Sequence, residues 1–124
     1  MSAFSQACPL CSQRYALLRN AQAFCRFERN PATLGHMLVV PLRHVDDFSS
    51  LTDAERTATF ALVESAKALL HGRYQPDGYT VAIEYGEARS SSGHAHLHVI
   101  PRYRNEAPVP RDEVRVRPLA HRDY

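Results

Sequence analysis

Apolar residues along this chain fall into short blocks with the spacing of strands, interrupted once by a longer block with the spacing of a helix. Tyr15-Ala16-Leu17-Leu18 and Ala23-Phe24-Cys25-Arg26-Phe27 are short strand candidates separated by a turn around Asn20. Asn30-Pro31 breaks the pattern, and His36-Met37-Leu38-Val39-Val40 reads as a mostly apolar central strand ended by Pro41. Gly35 offers the close approach or unusual dihedral needed just before His36. Thr52-Asp53-Ala54-Glu55 has the form of a capping box, with Thr52 capping a helix and Glu55 reaching back. The helix places Ala58, Ala61, Leu62, Ser65, Ala66 and Leu69 on one face, and Gly72 suits the left-handed position that would end it. A turn at Gln75-Pro76-Asp77-Gly78 leads to a strand over Tyr79 to Glu84. The pattern predicts an α+β fold in which a helix covers an antiparallel sheet.

The last periodic stretch, His94-Ala95-His96-Leu97-His98-Val99, alternates strictly. Successive side chains of a strand point to opposite faces, so the three histidines would share one face and Ala95, Leu97 and Val99 the other. With seven histidines in 124 residues, chance would produce such a triplet only about two times in a hundred. Two plainer readings are a solvated edge-strand face and an open zinc site formed by all three imidazoles.

His94-Ala95-His96-Leu97-His98-Val99-Ile100 resembles the signature of the histidine triad (HIT) family of nucleotide hydrolases and transferases. Pro31-Ala32-Thr33-Leu34-Gly35-His36-Met37-Leu38-Val39-Val40-Pro41 is similar to that family's segment of proline, spacer, Gly-His, apolar strand and proline. The resemblance implies an antiparallel sheet of about five strands with one long and one short helix, occupying residues 1–104. It also implies a homodimer and cleavage at the α-phosphate of adenylates, phosphoramidates or dinucleoside polyphosphates, with a purine nucleotide as substrate. By the same likeness His96 would be the nucleophile and His98 the stabiliser of developing charge. Glu28, where the family usually carries Asp or Asn, would accept hydrogen bonds from ribose hydroxyls, a role no more favoured than that of an ordinary surface carboxylate. His36 would lie beside the triad, and Ser91 and Ser92 would contact phosphate. Glu84-Tyr85-Gly86 and Ser90-Ser91-Ser92-Gly93 depart from the family's Asn-x-Gly and Gln-Ser-Val-x. Those departures leave open a nucleotide-binding module with little turnover.

Cysteine usage adds a metal to this picture. Cys8-Pro9-Leu10-Cys11 is either half a tetrahedral zinc site or a redox pair, and the seven residues before Cys8 are too few for the strand that precedes a redox pair. Family likeness supplies His44 and His94 as the other two ligands of a structural zinc. Cys25 is most simply a small buried hydrophobe. The formal charge of +2, from 15 Lys and Arg against 13 Asp and Glu, gives no reason to expect nucleic-acid binding. No apolar run is long enough to span a membrane, and Met1 to Gln6 lacks a signal core, so a cytoplasmic location is expected. Residues 105–124, rich in proline and alternating charge, read as an extended tail of the same domain.

Overall fold

Two short apolar blocks, one after the turn at Asn20 and one after Gly35-His36, form the middle of the sheet. The computed structural model describes residues 8–86 and 93–106. Its strands are β1 (Leu18–Arg19), β2 (Ala23–Phe27), β3 (Met37–Pro41), β4 (Gly78–Ile83) and β5 (Leu97–Arg102), joined among the described residues by a 3-10 turn at Phe48–Ser50 and the helix α1 (Asp53–Tyr74). All pairings are antiparallel in the order β1-β2-β3-β5-β4. The five-stranded sheet with one long helix and one short one is the expected α+β architecture. The histidine strand β5 lies between β3 and β4, so it is not a solvated edge.

Every residue of β3 is buried because both faces of the sheet are covered. One face carries Cys25, Met37, Val39, Leu97 and Val99, which pack with Leu62, Val63, Ala66 and Leu70 of α1. The other carries Phe24, Leu38 and Val40, under Cys8 and Leu10 of the N-terminal segment. Cys25 is fully buried among apolar neighbours, which pushes its thiol up to about 11; this is the inert core role expected of it.

The start of α1 is as the sequence predicts. Thr52 accepts from the Glu55 main-chain N–H, and Glu55 accepts from the Thr52 N–H at 2.8 Å. Glu55 also accepts two bonds from Arg43, from Nε and Nη2, each at 2.9 Å. Farther along, the helix agrees with the expected face at Leu62, Ala66 and Leu69 and differs elsewhere. Its buried face is Glu55, Thr59, Leu62, Val63, Ala66 and Leu70, whereas Ala61 and Ser65 are exposed. It also continues through Gly72 to Tyr74, and Gln75 takes the left-handed cap with φ 50°. Tyr74 explains the extra turn, because it covers Gly35. A Cβ on Gly35, whose φ is 91°, would come within 2.9 Å of the Tyr74 ring, while one on Gly72 would meet nothing.

The triad also departs from one regular strand. β5 begins at Leu97, so His94, Ala95 and His96 precede it, anchored by the Ala95 N–H donating to the Val45 carbonyl at 2.7 Å. Pairing with β3 stops at Leu97 opposite Val39 because β3 ends at Pro41, which has no N–H for the ladder. The alternation survives this break: Ala95, Leu97 and Val99 all enter the helix-side core. Ser91, Ser92 and residues 107–124 of the expected tail lie outside the described residues.

Candidate active site and metal centre

His98 is fully buried and sits at the centre of a chain of hydrogen bonds. The Ala32 main-chain N–H donates to His36 Nδ1 at 2.9 Å, and His36 Nε2 is 2.9 Å from His98 Nδ1. Because His36 Nδ1 accepts, a neutral His36 carries its proton on Nε2 and donates it to His98 Nδ1. His98 then holds its own proton on Nε2. A peptide N–H thereby fixes two imidazole tautomers in series.

His96 is half-buried, with its ring centroid 5.0 Å from that of His98. Its Nδ1 lies 2.9 Å from the His94 carbonyl oxygen. A carbonyl can only accept, so Nδ1 carries the proton and Nε2 presents the lone pair.

His94 turns away from both. Its Nε2 donates to the Pro41 carbonyl at 2.8 Å, and its Nδ1 lies 3.4 Å from Cys8 Sγ and 3.5 Å from Cys11 Sγ. His44 Nδ1 completes the group at 3.0 Å from Cys11 Sγ. The four donor atoms of Cys8, Cys11, His44 and His94 all lie within 4.8 Å of one another. Zinc–sulfur bonds of about 2.3 Å and zinc–nitrogen bonds of about 2.0 Å imply tetrahedral edges of roughly 3.3–3.8 Å. The Cys–His94 separations match those edges, and the bond to Pro41 gives the ligand histidine the carbonyl partner that metal-bound imidazoles usually have. The donor set therefore fits a closed tetrahedral site. Burial, opposed by the bond to the Pro41 carbonyl and aided by the nearby His44 and His96, holds His94 down to about 4, which keeps its ring neutral. Burial also raises the Cys8 thiol, an opposing effect in the absence of a metal.

With both nitrogens of His94 committed in this way, the three histidines do not form one metal set. His36 Nε2 engages His98 Nδ1, on the other side of the triad from the cysteines.

The HIT domain family matches residues 12–105. The chain belongs to the HIT family. Among curated relatives, an AP-4-A phosphorylase of Mycobacterium tuberculosis (strain CDC 1551 / Oshkosh) is 33% identical over 79 residues, covering 62% of this chain and 40% of that protein. A bis(5'-adenosyl)-triphosphatase of Saccharomyces cerevisiae (strain YJM789) is 40% identical over 76 residues, covering 60% of this chain and 37% of that protein. The matches thus span about two fifths of the length of these relatives. The fold is similar to that of a HIT family protein from Bacillus anthracis, with TM-score 0.73, 21% identity and 94% of each chain covered. It is also similar to a Zn-bound histidine triad family protein from Mycobacterium smegmatis, with TM-score 0.68, 24% identity, and 77% and 70% of the two chains covered.

In this HIT chain the expected site residues fall into two groups separated by the turn of His94. His36 and His96 each adjoin His98, and Cys8, Cys11, His44 and His94 form a cluster that could hold a metal. Glu28 lies farther out at the end of β2, where its N–H donates to the His36 carbonyl at 2.9 Å. Asp47 was not singled out by sequence. It caps the 3-10 turn by accepting from the Ser49 N–H and, through its other oxygen, accepts from the Gly86 N–H, both at 2.9 Å. The Gly86 main-chain N–H is thus engaged by a carboxylate. Asp-x-Ser before a turn is a capping pattern that sequence could have revealed.

Proposed function

We propose that this protein is a nucleotide hydrolase or nucleotidyl transferase that cleaves the α-phosphate bond of adenylates, phosphoramidates or dinucleoside polyphosphates through a covalent nucleotidyl-histidine. The observation carrying this reading is the 2.9 Å contact between His96 Nδ1 and the His94 carbonyl, which orients the lone pair on Nε2. That nitrogen would attack the α-phosphorus, forming a P–N bond as the bond to the leaving group breaks. His98, with its Nε2 proton set by the relay from Ala32 through His36, would donate to a phosphoryl or leaving-group oxygen as charge grows there. Water then attacks phosphorus and His96 departs, restoring the imidazole.

Glu28 would accept from the ribose hydroxyls of a purine nucleotide, with Ser91 and Ser92 as phosphate donors. Zinc held by Cys8, Cys11, His44 and His94 would be structural, supplying a fixed tetrahedral anchor without an open position. The same reading makes the protein a cytoplasmic homodimer whose domain covers residues 1–104, with 105–124 as its extended tail.

Rapid-quench experiments with a phosphorus-labelled adenylate test the mechanism. The native protein should accumulate an acid-labile labelled intermediate. His96→Ala should lose at least about three orders of magnitude in turnover while binding AMP within a few-fold of native. Near-native turnover by that variant would sink the mechanism. Binding without product in the native protein would favour the binding-module reading that the Glu84 and Ser90 departures raise.

A further inference from the structure

We infer that Arg14 and Arg26, held against Tyr15, read the edge of the nucleotide base and select guanine over adenine. The inference rests on the nucleotide reading above and names the base for the same site. Its starting point is a cleft of about 710 Å³ whose walls include Arg14, Tyr15, Arg26, Phe27, Glu28 and Arg29. Strand register connects this cleft with the histidines. Arg26 pairs with Leu38 and Leu38 with His98, and directly paired residues share a sheet face. Arg26 therefore stands on the His98 face, two strand spacings or about 10 Å away. A nucleotide whose α-phosphate lies at His96 and His98, and whose ribose meets Glu28, places its base among the arginines.

Their geometry is ordered by one ring. Tyr15 is 59% exposed, yet the Arg14 and Arg26 guanidinium carbons lie 5.4 and 5.2 Å from its centroid. Such cation–π contacts position two charged groups at a mouth that would otherwise repel them. Arg26 Nε also donates to the Phe27 carbonyl at 3.3 Å, so its terminal amino groups are the remaining donors of that side chain.

The chemistry of the cleft is asymmetric. Guanidinium donates and never accepts, and three arginines line the cleft against one acidic residue, which this reading assigns to the ribose. Guanine offers two acceptors, O6 and N7, on the edge that arginine grips bidentately. Adenine offers N7 beside an amino donor, which two guanidiniums cannot satisfy.

Titration calorimetry on His96→Ala protein, which removes turnover, tests this with GMP, IMP, AMP and 7-deaza-GMP. GMP and IMP should bind about five- to hundredfold more tightly than AMP, since IMP keeps O6 and N7 while lacking the 2-amino group. Replacing N7 in 7-deaza-GMP should remove part of that advantage. The variant Arg14→Met/Arg26→Met, made in the same background and checked by its melting curve, should bring GMP and IMP to within about twofold of AMP. Equal binding of AMP and GMP before those substitutions, or a preference that survives them, overturns the inference while leaving the nucleotide reading intact. Failure of every nucleotide to bind overturns both.

Discussion

A single residue, His94, belongs to two sites at once. Its ring points to Cys8 and Cys11, and its carbonyl holds the His96 ring. His36 has a similar double task, accepting from Ala32 on one nitrogen and engaging His98 with the other. These tautomer-setting contacts were not legible in the sequence, because three of their partners are main-chain groups at Ala32, Pro41 and His94 that no residue type announces. The histidines themselves were legible, since only a particular pattern of side chains gives the alternation. Glu28 provides a prediction at this scale. If its carboxylate grips the ribose, Glu28→Ala should weaken ribonucleotides about tenfold more than 2′-deoxyribonucleotides, as loss of a charged hydrogen-bond partner would. Equal losses in a paired binding assay would return Glu28 to an ordinary surface role.

Among the elements, α1 shows where local patterning is sufficient and where tertiary contacts decide. Its N-terminus was legible because a capping box is local chemistry, confined to Thr52 and Glu55. Its C-terminus was not, because the packing of Tyr74 over Gly35 lies outside any helix pattern. The exposed Gly72 adopts an ordinary helical conformation and ends nothing. The start of β5 was missed for a related reason: strand limits depend on the partner, and here the partner ends at Pro41. The capping box also yields a pH prediction. Bonds from Arg43, opposed by burial and aided by Thr52, hold the Glu55 carboxyl at about 2 against an ordinary value of 4.5. A depressed carboxylate stabilises the fold above its unfolded value and loses that contribution as pH falls through its folded value. Stability attributable to this contact should therefore fade from about pH 4.5 toward pH 2. Glu55→Gln should lower the melting temperature at pH 7 by roughly 3–8 °C and flatten its dependence on pH across that window, measured by scanning calorimetry. An unchanged acid slope would refute the assignment.

At the scale of the whole molecule, the described residues form a sheet covered by a helix on one face and by the segment around Cys8 and Leu10 on much of the other. Among the described residues that second cover is thin, consisting mainly of Cys8, Leu10 and their neighbours over Phe24, Leu38 and Val40. A metal at the cysteines would reinforce it, and structural metal binding is coupled to folding. Cys8→Ser should lose stoichiometric zinc and about 10 °C or more of melting temperature, whereas His98→Ala should keep its zinc. Elemental analysis of untagged protein checks this, and native protein without zinc would refute the proposed metal. Chain order gives the same contact a temporal consequence. Cys8 and His94 are separated by 86 residues, so at about 5–20 residues per second of synthesis the thiols wait roughly 4–17 s for that partner. During the same interval β3, apolar on both faces, has an open edge awaiting β5. A nascent chain stalled before Leu97 would expose that strand as a template for pairing with other chains, making the last strand of the sheet also the one that closes its most adhesive edge.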